Sequence, residues 1–421
     1  MHPPVLLTMP DYCGTLAAAR CLGQHGYPVW MVGDNARAPA MHSRHVTKTL
    51  RCPPLSNPQA FLEFLLAVGK ANPGLVLYPT SDDLAWFLAA HQAELSKNFR
   101  TWAPDVKVYE TLLDKHQLLA ACARVGLGTP RTLSPTNEAE LAEAVRLAPL
   151  PVLLKQRTQV LSKTNHKGVL VRDRERLADE WRAFRRDNRH SDALSAHLPN
   201  ASEPLIQQYF LEGVSGSLQV SGFISRDGKL FVARAAKKLL QRPRTLGISL
   251  CLEATELDPA LAEKIKALCL EVGYFGVFGI EFLQVKGRPL LIDFNPRYYH
   301  FMALDIARGM PLPLLTALAA LGEDERLADA VAQAQHDPKK VDAFTYAFQF
   351  RELLLAQTLT GTMKAAESLR WWRWYRAHRH SMVDAVRDDD DRRPALVDGA
   401  WSAAMRVRHP LTFVMRVALD R

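Results

Sequence analysis

The chain has 421 residues, 48% of them hydrophobic and 23% charged, and carries a net charge of +9. This length exceeds one ordinary core and predicts roughly two to four structural units, while the composition excludes a mainly disordered protein. The basic balance suits anionic small molecules, lipid or nucleic acid, and no nucleic-acid motif accompanies it.

The N-terminus, "MHPPVLLTMPDYCG", lacks the basic and apolar regions of a secretory signal. The longest apolar stretch, Met310 to Leu321, contains two prolines and is too short to cross a bilayer. Six cysteines show neither CxxC nor Cys/His metal spacing, which suits reduced thiols in a cytoplasmic protein.

In chain order, "PVLLTM" predicts a strand, "GTLAAARCLGQHG" a helix closed by glycine, and "PVWMVGD" a second strand ending at Asp34. A further βα repeat runs through "FLEFLLAVGKANPG" and "LVLYPTSD". Thr80, Ser81 and Asp82 then sit at a strand's carboxyl end, where open parallel sheets collect ligand contacts. Ser81 and Asp82 can equally cap the following helix. No GxGxxG is present, so a dinucleotide site has little support.

From about residue 113 the pattern changes. "LDKHQLLAACARVGLGTPRT" reads as a helix stopped by glycines, and "LPVLLKQ" as a short buried strand ending at Lys155. The polar stretch "QRTQVLSKTNHKG" is either a mobile lid or solvated surface. Then come "PLIQQYF", two strands around "SRDG", a helix from Pro259 to Val272, and a hairpin. The remainder is mostly helical, basic and tryptophan-rich, with an acidic run from Asp388 to Asp391.

The hairpin is legible by counting. "GVFGIEFLQV" and "PLLIDFN" flank "KGR", and a turn centred on Gly287 pairs residues whose numbers sum to 574, so Glu281 faces Asp293. Alternation puts Glu281, Leu283 and Val285 on one face with Leu291, Asp293 and Asn295, and Ile280, Phe282, Ile292 and Phe294 on the core face. Facing carboxylates about 5 Å apart repel, and an adjacent amide oxygen completes what a hard cation such as Mg²⁺ needs. Solvation on an open sheet face is the plainer alternative, and a one-residue slip of register would separate the pair.

Glu281 followed by "DFNPR" resembles the closing motif of the ATP-grasp ligases, usually a glutamate strand and then E-hydrophobic-N-P-R. The likeness runs in order over residues 1 to 322 and is of the carboxylate-amine ligase type. It implies an α/β and α+β multidomain chain. A Rossmann-like pre-ATP-grasp domain (1–112) precedes a small lobe with a phosphate lid (113–206), a large lobe with the metal site (207–322) and a helical C-terminal region (323–421). It also implies ATP with Mg²⁺, Mn²⁺ being the alternative ion. By the same likeness Glu281, Asp293 and Asn295 hold the metal, and Lys115 and Lys155 neutralise phosphates. Gln208, Tyr209, Phe210 and Leu211 meet adenine, and Lys238, in "KKLLQRPRTLG", acts with Arg297 on an acylphosphate and its transition state.

The chain departs from the pattern in several places. Asp293 stands where Glu is usual and Gln208 where Glu is common, and the sequence after Gly213 lacks the usual ribose acid, for which Glu212 is the candidate substitute. The lid has one glycine, leaving Ser162, Lys163 and Lys167 as side-chain candidates for phosphate. The implied reaction joins a carboxylate to an amino acid or small amine with release of ADP and phosphate. The rivals are a non-amine acceptor and a nucleotide-binding regulatory or scaffold protein without turnover. "SLRWWRWYRAHRHS" and "WSAAMRVRHPLTFVMRVALDR" read as a helical cap, or as a peripheral contact with membrane or a lipid-linked substrate.

Overall fold

The computed structural model describes residues 2–164, 168–210, 216–244, 247–336 and 340–418. The first sheet is parallel, in the order β3-β2-β1-β4-β5, from β1 (Val5–Leu7), β2 (Val29–Gly33), β3 (Val46–Arg51), β4 (Leu75–Leu77) and β5 (Phe99–Thr101). Central β1 reads VLL and is buried throughout, as a strand with helices on both faces must be. Edge strand β3 has no such signature: its "VTKTLR" is largely exposed, and its polar side chains discourage further pairing. The strand order reverses between β1 and β4. Thr8 and Thr80, just beyond those strands, share a hydroxyl hydrogen bond of 2.9 Å there.

An antiparallel sheet of order β6-β9-β7-β8 forms the small lobe, from β6 (Thr132–Leu133), β7 (Val152–Lys155), β8 (Val169–Val171) and β9 (Leu205–Gln208). It has its own core, in which Val152, Leu154 and Ile206 meet Trp181 and Phe184 of helix Arg174–Asp187. Strand β9 runs through the expected boundary at 206/207, so the lobe extends to Gln208.

The large lobe carries β10 (Ser217–Ile224), β11 (Phe231–Arg242), β12 (Ile248–Thr255), β13 (Gly276–Val285) and β14 (Arg288–Asn295). The C-terminal region adds β15 (Ala343–Thr345) and β16 (Met382–Asp384), giving the order β14-β13-β10-β11-β12-β15-β16. That region therefore holds strands as well as helices, and β15 covers what would be a bare edge of β12. One hydrophobic cluster joins helix Cys13–Gln24 of the first domain to the large lobe and the C-terminal helices.

In the β13/β14 hairpin, Glu281 pairs with Asp293, Ile280 with Phe294 and Gly279 with Asn295, as the count predicts. Nearer the turn the register shifts, with Phe282 opposite Leu291 and Val285 opposite Arg288. The turn is thus the two residues Lys286 and Gly287, both at positive φ, and a bulge at Ile292 absorbs the extra residue. The bulge corrects the predicted faces: Leu291 is buried beside Phe282, while Ile292 is displaced toward the opposite side.

The C-terminal aromatics turn inward. Trp371 is buried, Tyr375 stacks on buried Phe350 at 5.5 Å, and the Trp374 indole donates to the Glu253 carboxylate. The acidic run docks on the first domain, where Asp391 accepts hydrogen bonds from Arg20 at 3.0 Å and Ser43 at 2.7 Å. No helix among the described residues is long and apolar enough to cross a membrane.

Candidate active site

Three elements converge on one cleft of about 240 Å³. From the first domain's exit comes Lys115, at the start of helix Lys115–Arg124. Asp114 caps that helix, accepting from the His116 N–H at 2.9 Å, and also takes the Arg157 guanidinium at 2.8 Å. The Lys115 N–H donates to the Arg157 carbonyl at 2.9 Å, so the helix start and the root of the lid are tied twice. From the small lobe comes Lys155 at the end of β7. The large-lobe sheet supplies Ser217, Lys238, Glu281 and Asp293 from one face of four strands.

The charges are arranged in pairs. Lys115 Nζ lies 2.9 Å from Asp293 Oδ1, and Lys238 Nζ pairs with Glu281 Oε1, which also accepts from Ser217 Oγ at 2.7 Å. Burial by itself would raise the Asp293 carboxyl, but the Lys115 and Lys155 ammoniums outweigh it and hold it below the usual range. Lys155 is the odd cation. Among the described residues its ammonium has a single, long hydrogen bond, to Gln207 Oε1 at 3.4 Å, and burial followed by repulsion from Lys115 pushes it down to about 7. A buried lysine so poorly compensated calls for an anion opposite it.

Two carboxylates on cross-strand positions fit a hard divalent cation whose remaining ligands are water and substrate phosphate. Asn295 is more constrained, because its Nδ2 donates to the Gly279 carbonyl at 3.0 Å and its Oδ1 accepts from Arg297 at 2.7 Å. No cluster of three or more His, Cys, Asp or Glu able to hold a metal occurs among the described residues, so a cation would rest on Glu281 and Asp293 first.

No protein-family profile matches the sequence, and neither does any curated protein. Solved structures do match the fold. The biotin carboxylase domain of the 2-oxoglutarate carboxylase from Hydrogenobacter thermophilus superposes with a TM-score of 0.61 at 16% identity, over 76% of this chain and 70% of that one. N5-carboxyaminoimidazole ribonucleotide synthetase from Thermus thermophilus gives 0.54 at 17%, over 76% and 78%. The L-amino acid ligase from Bacillus licheniformis gives 0.55 at 12%, over 76% and 74%.

The chain has the ATP-grasp fold.

Within this ATP-grasp architecture, Lys115, Lys155, Gln208, Tyr209, Phe210, Lys238, Glu281 and Asp293 all line the cleft. Asn295 and Arg297 stand behind it. The Arg297 fork grips Asp82 through Nε at 2.9 Å and Nη2 at 3.0 Å, and its other N–H groups donate to Tyr12 Oη, the Tyr298 carbonyl and Asn295 Oδ1. All five of its donors are thereby engaged. Ser162 and Lys163 are not brought to the cleft. The Ser162 hydroxyl meets Gln156 Nε2 at 2.8 Å and the Thr164 carbonyl at 3.1 Å, and Lys163 is exposed. Leu211, Glu212 and Lys167 lie outside the described residues.

Ser81 caps the helix Asp82–Ala90, accepting from the Leu84 N–H at 3.2 Å, whereas Asp82 and Asp83 reach across the molecule. Asp83 accepts from the Leu161 N–H of the lid at 2.7 Å. The segment from Gln156 to Thr164 is thus held by side chains, with Gln156 buried beneath Ser162 and Thr164. Sequence reasoning missed Gln159, Gln207, Ser217, Gln241 and Ile292 as lining residues. A buried glutamine on a short strand was the available signal for Gln207, and none was available for Ile292, which depends on the bulge.

Proposed function

We propose that this chain is an ATP-dependent, ADP-forming carboxylate-amine ligase that makes an amide or peptide-type bond through an acylphosphate. The observation that carries the proposal is the cleft in which three lysines face a cross-strand carboxylate pair. Polyphosphate chemistry needs fixed cations where charge moves, and a carboxylate pair to seat the metal that bridges phosphates. Two related folds support the assignment by name: a biotin carboxylase domain solved with MgADP and bicarbonate, and an L-amino acid ligase.

Lys115 and Lys155 neutralise phosphate oxygens, and β9 with Tyr209 and Phe210 forms the wall against which the base lies. Glu281 and Asp293 would hold Mg²⁺, with Asn295 behind them as the third candidate ligand, and Mn²⁺ would suit the same donors. Held there, such an ion would supply positive charge against the phosphates of the nucleotide. Lys238, positioned by Glu281 and by Gln241 Oε1 at 3.1 Å, donates to the oxygen that gains charge as the donor carboxylate attacks. Arg297 adds its charge from behind through Asn295, and direct contact with the acylphosphate requires it to release one present partner.

The test is Mg²⁺-dependent release of ADP and phosphate over pools of carboxylates and amines, with Asp293→Ala and Lys238→Ala as controls. Release that needs both a carboxylate and an amine supports the ligase. A requirement for bicarbonate, a thiol or a hydroxyl compound instead identifies the non-amine reading. One observation favours a silent nucleotide binder: both cleft carboxylates are already neutralised by lysines. ATP binding without turnover in every pool decides for that alternative.

A further inference from the structure

The C-terminal aromatics that suggested a surface function are packed inward, yet the same region presents another face. Leu355 and Leu359, one turn apart on helix Ala347–Leu359, are 63% and 78% exposed. Val407, at the end of helix Arg393–Arg408, and Leu411, on the short turn after it, are 85% and 79% exposed. Val414 and Met415 follow, both exposed. Packing holds the segments that carry these residues against one another. The final turn is fastened to helix Ala347–Leu359 by Gln357 Nε2 to the Val417 carbonyl at 3.1 Å and by Thr360 Oγ1 to the Ala418 carbonyl at 2.9 Å. The Arg406 guanidinium lies over both Phe348 and Phe413, at 4.8 and 5.7 Å, joining the third segment to the other two.

Six large aliphatic side chains on adjoining segments exceed the scattered apolar exposure of an ordinary surface. The charges beside them have one sign. Arg351 and Arg408 are exposed on the same helices, and Lys364, Arg370 and Arg373 on the next segment. The nearby acids are consumed: Glu352 by Arg242 and Arg406, and Glu367 by Arg244. A second copy docked face to face would bring these cations together, whereas a surface of anionic headgroups over an acyl layer satisfies cations and leucines at once.

We propose that this leucine and valine face, between Leu355 and Met415, seats the protein peripherally on anionic lipid. Arginines meet the headgroups, and Leu355, Leu359, Val407 and Leu411 enter the interface. No helix among the described residues is long and apolar enough to cross the bilayer, and the attachment is reversible and salt-sensitive. The face is separate from the nucleotide cleft, so the inference stands whether or not ligase activity is found.

Co-sedimentation of the full chain with vesicles of phosphatidylglycerol and phosphatidylcholine, against phosphatidylcholine alone, tests it. The expected result is binding to the anionic vesicles only, weakened by salt. Leu359→Ser with Leu411→Ser is expected to weaken it at least about tenfold, and Arg408→Gln to weaken it less. Leu396→Ser, an exposed leucine outside the patch, serves as the control and leaves binding unchanged, and circular dichroism verifies that each variant is folded. No vesicle binding, equal binding to both compositions, or unchanged binding by the folded double variant overturns the proposal. So does a dimer in light scattering that the same double substitution dissociates, which assigns the face to a second copy of the chain.

Discussion

Asp82 and Arg297 are 215 residues apart in sequence and joined by a two-pronged ion pair, at 2.9 and 3.0 Å. The pair clamps the first domain to the end of β14, and burial is outweighed by the Asp82 charge so that the guanidinium stays charged. Removing the carboxylate leaves a largely buried cation with its fork half empty. Asp82→Ala is expected to cost about 2–3 kcal/mol in urea unfolding. Arg297→Lys does not restore the pair in the double-mutant sense, because an ammonium cannot fill a planar two-oxygen acceptor. A loss below about 0.5 kcal/mol places the clamp among inert surface pairs.

Under the proposed function, Lys155 is expected to make nucleotide binding pH-dependent. Its ammonium is pushed from an ordinary value of 10.5 to about 7 in the folded chain. Between those values the unfolded state binds more protons, so this group's contribution to stability rises with pH over that window. A polyphosphate favours the ammonium and restores the proton on binding. ADP affinity is therefore expected to fall as pH rises above about 7, with a limiting slope of about one decade per unit. Calorimetric titration checks this, and Lys155→Arg is expected to flatten the profile.

Under the proposed function, Lys238 is expected to separate turnover from binding. Its placement against Glu281 serves charge that develops during phosphoryl transfer, so Lys238→Met is expected to lower kcat by about 100-fold or more while ADP affinity changes by less than about tenfold. Equal losses in both reduce it to a binding cation.

Asp293 pairs with Lys115 and, under the proposed function, would also hold the metal. Asp293→Asn keeps the shape and removes the charge, leaving Lys115 without its partner and the cation with one carboxylate. The Mg²⁺ concentration for half-maximal nucleotide binding is expected to rise about tenfold or more. Asn295→Ala is expected to act mainly through Arg297, which loses an acceptor at 2.7 Å.

Gln156 pins the lid from below, with Nε2 within 2.8 Å of Ser162 Oγ, 3.0 Å of Thr164 Oγ1 and 2.9 Å of Asn188 Oδ1. Gln156→Ala removes the amide donor shared by Ser162, Thr164 and Asn188 and is expected to speed limited proteolysis between Gln156 and Thr164 by about tenfold. Unchanged cleavage shows that Asp83, through the Leu161 N–H, holds the lid unaided.

Much of this was legible in the linear chain because the causes are local. Strand alternation placed Glu281 opposite Asp293, and the apolar runs at β1 and β7 announced buried strands. Lys155 at a strand's end and the ordered motifs around Lys115 and "DFNPR" pointed to one fold, which the superpositions show.

Other features have no local cause. The bulge at Ile292 reconciles a two-residue turn with a core that needs Leu291, and no residue type announces it. The grip of Asp82 on Arg297, the inward turn of Trp371 and Tyr375, and the edge pairing of β15 each join segments far apart in sequence. Alternation and capping act within a few residues, and so the sequence by itself determined which side chains were available to the cleft. Ion pairs and packing act between segments, and so only the tertiary structure decided that Lys155 would form no ion pair among the described residues while Arg297 would have every donor engaged.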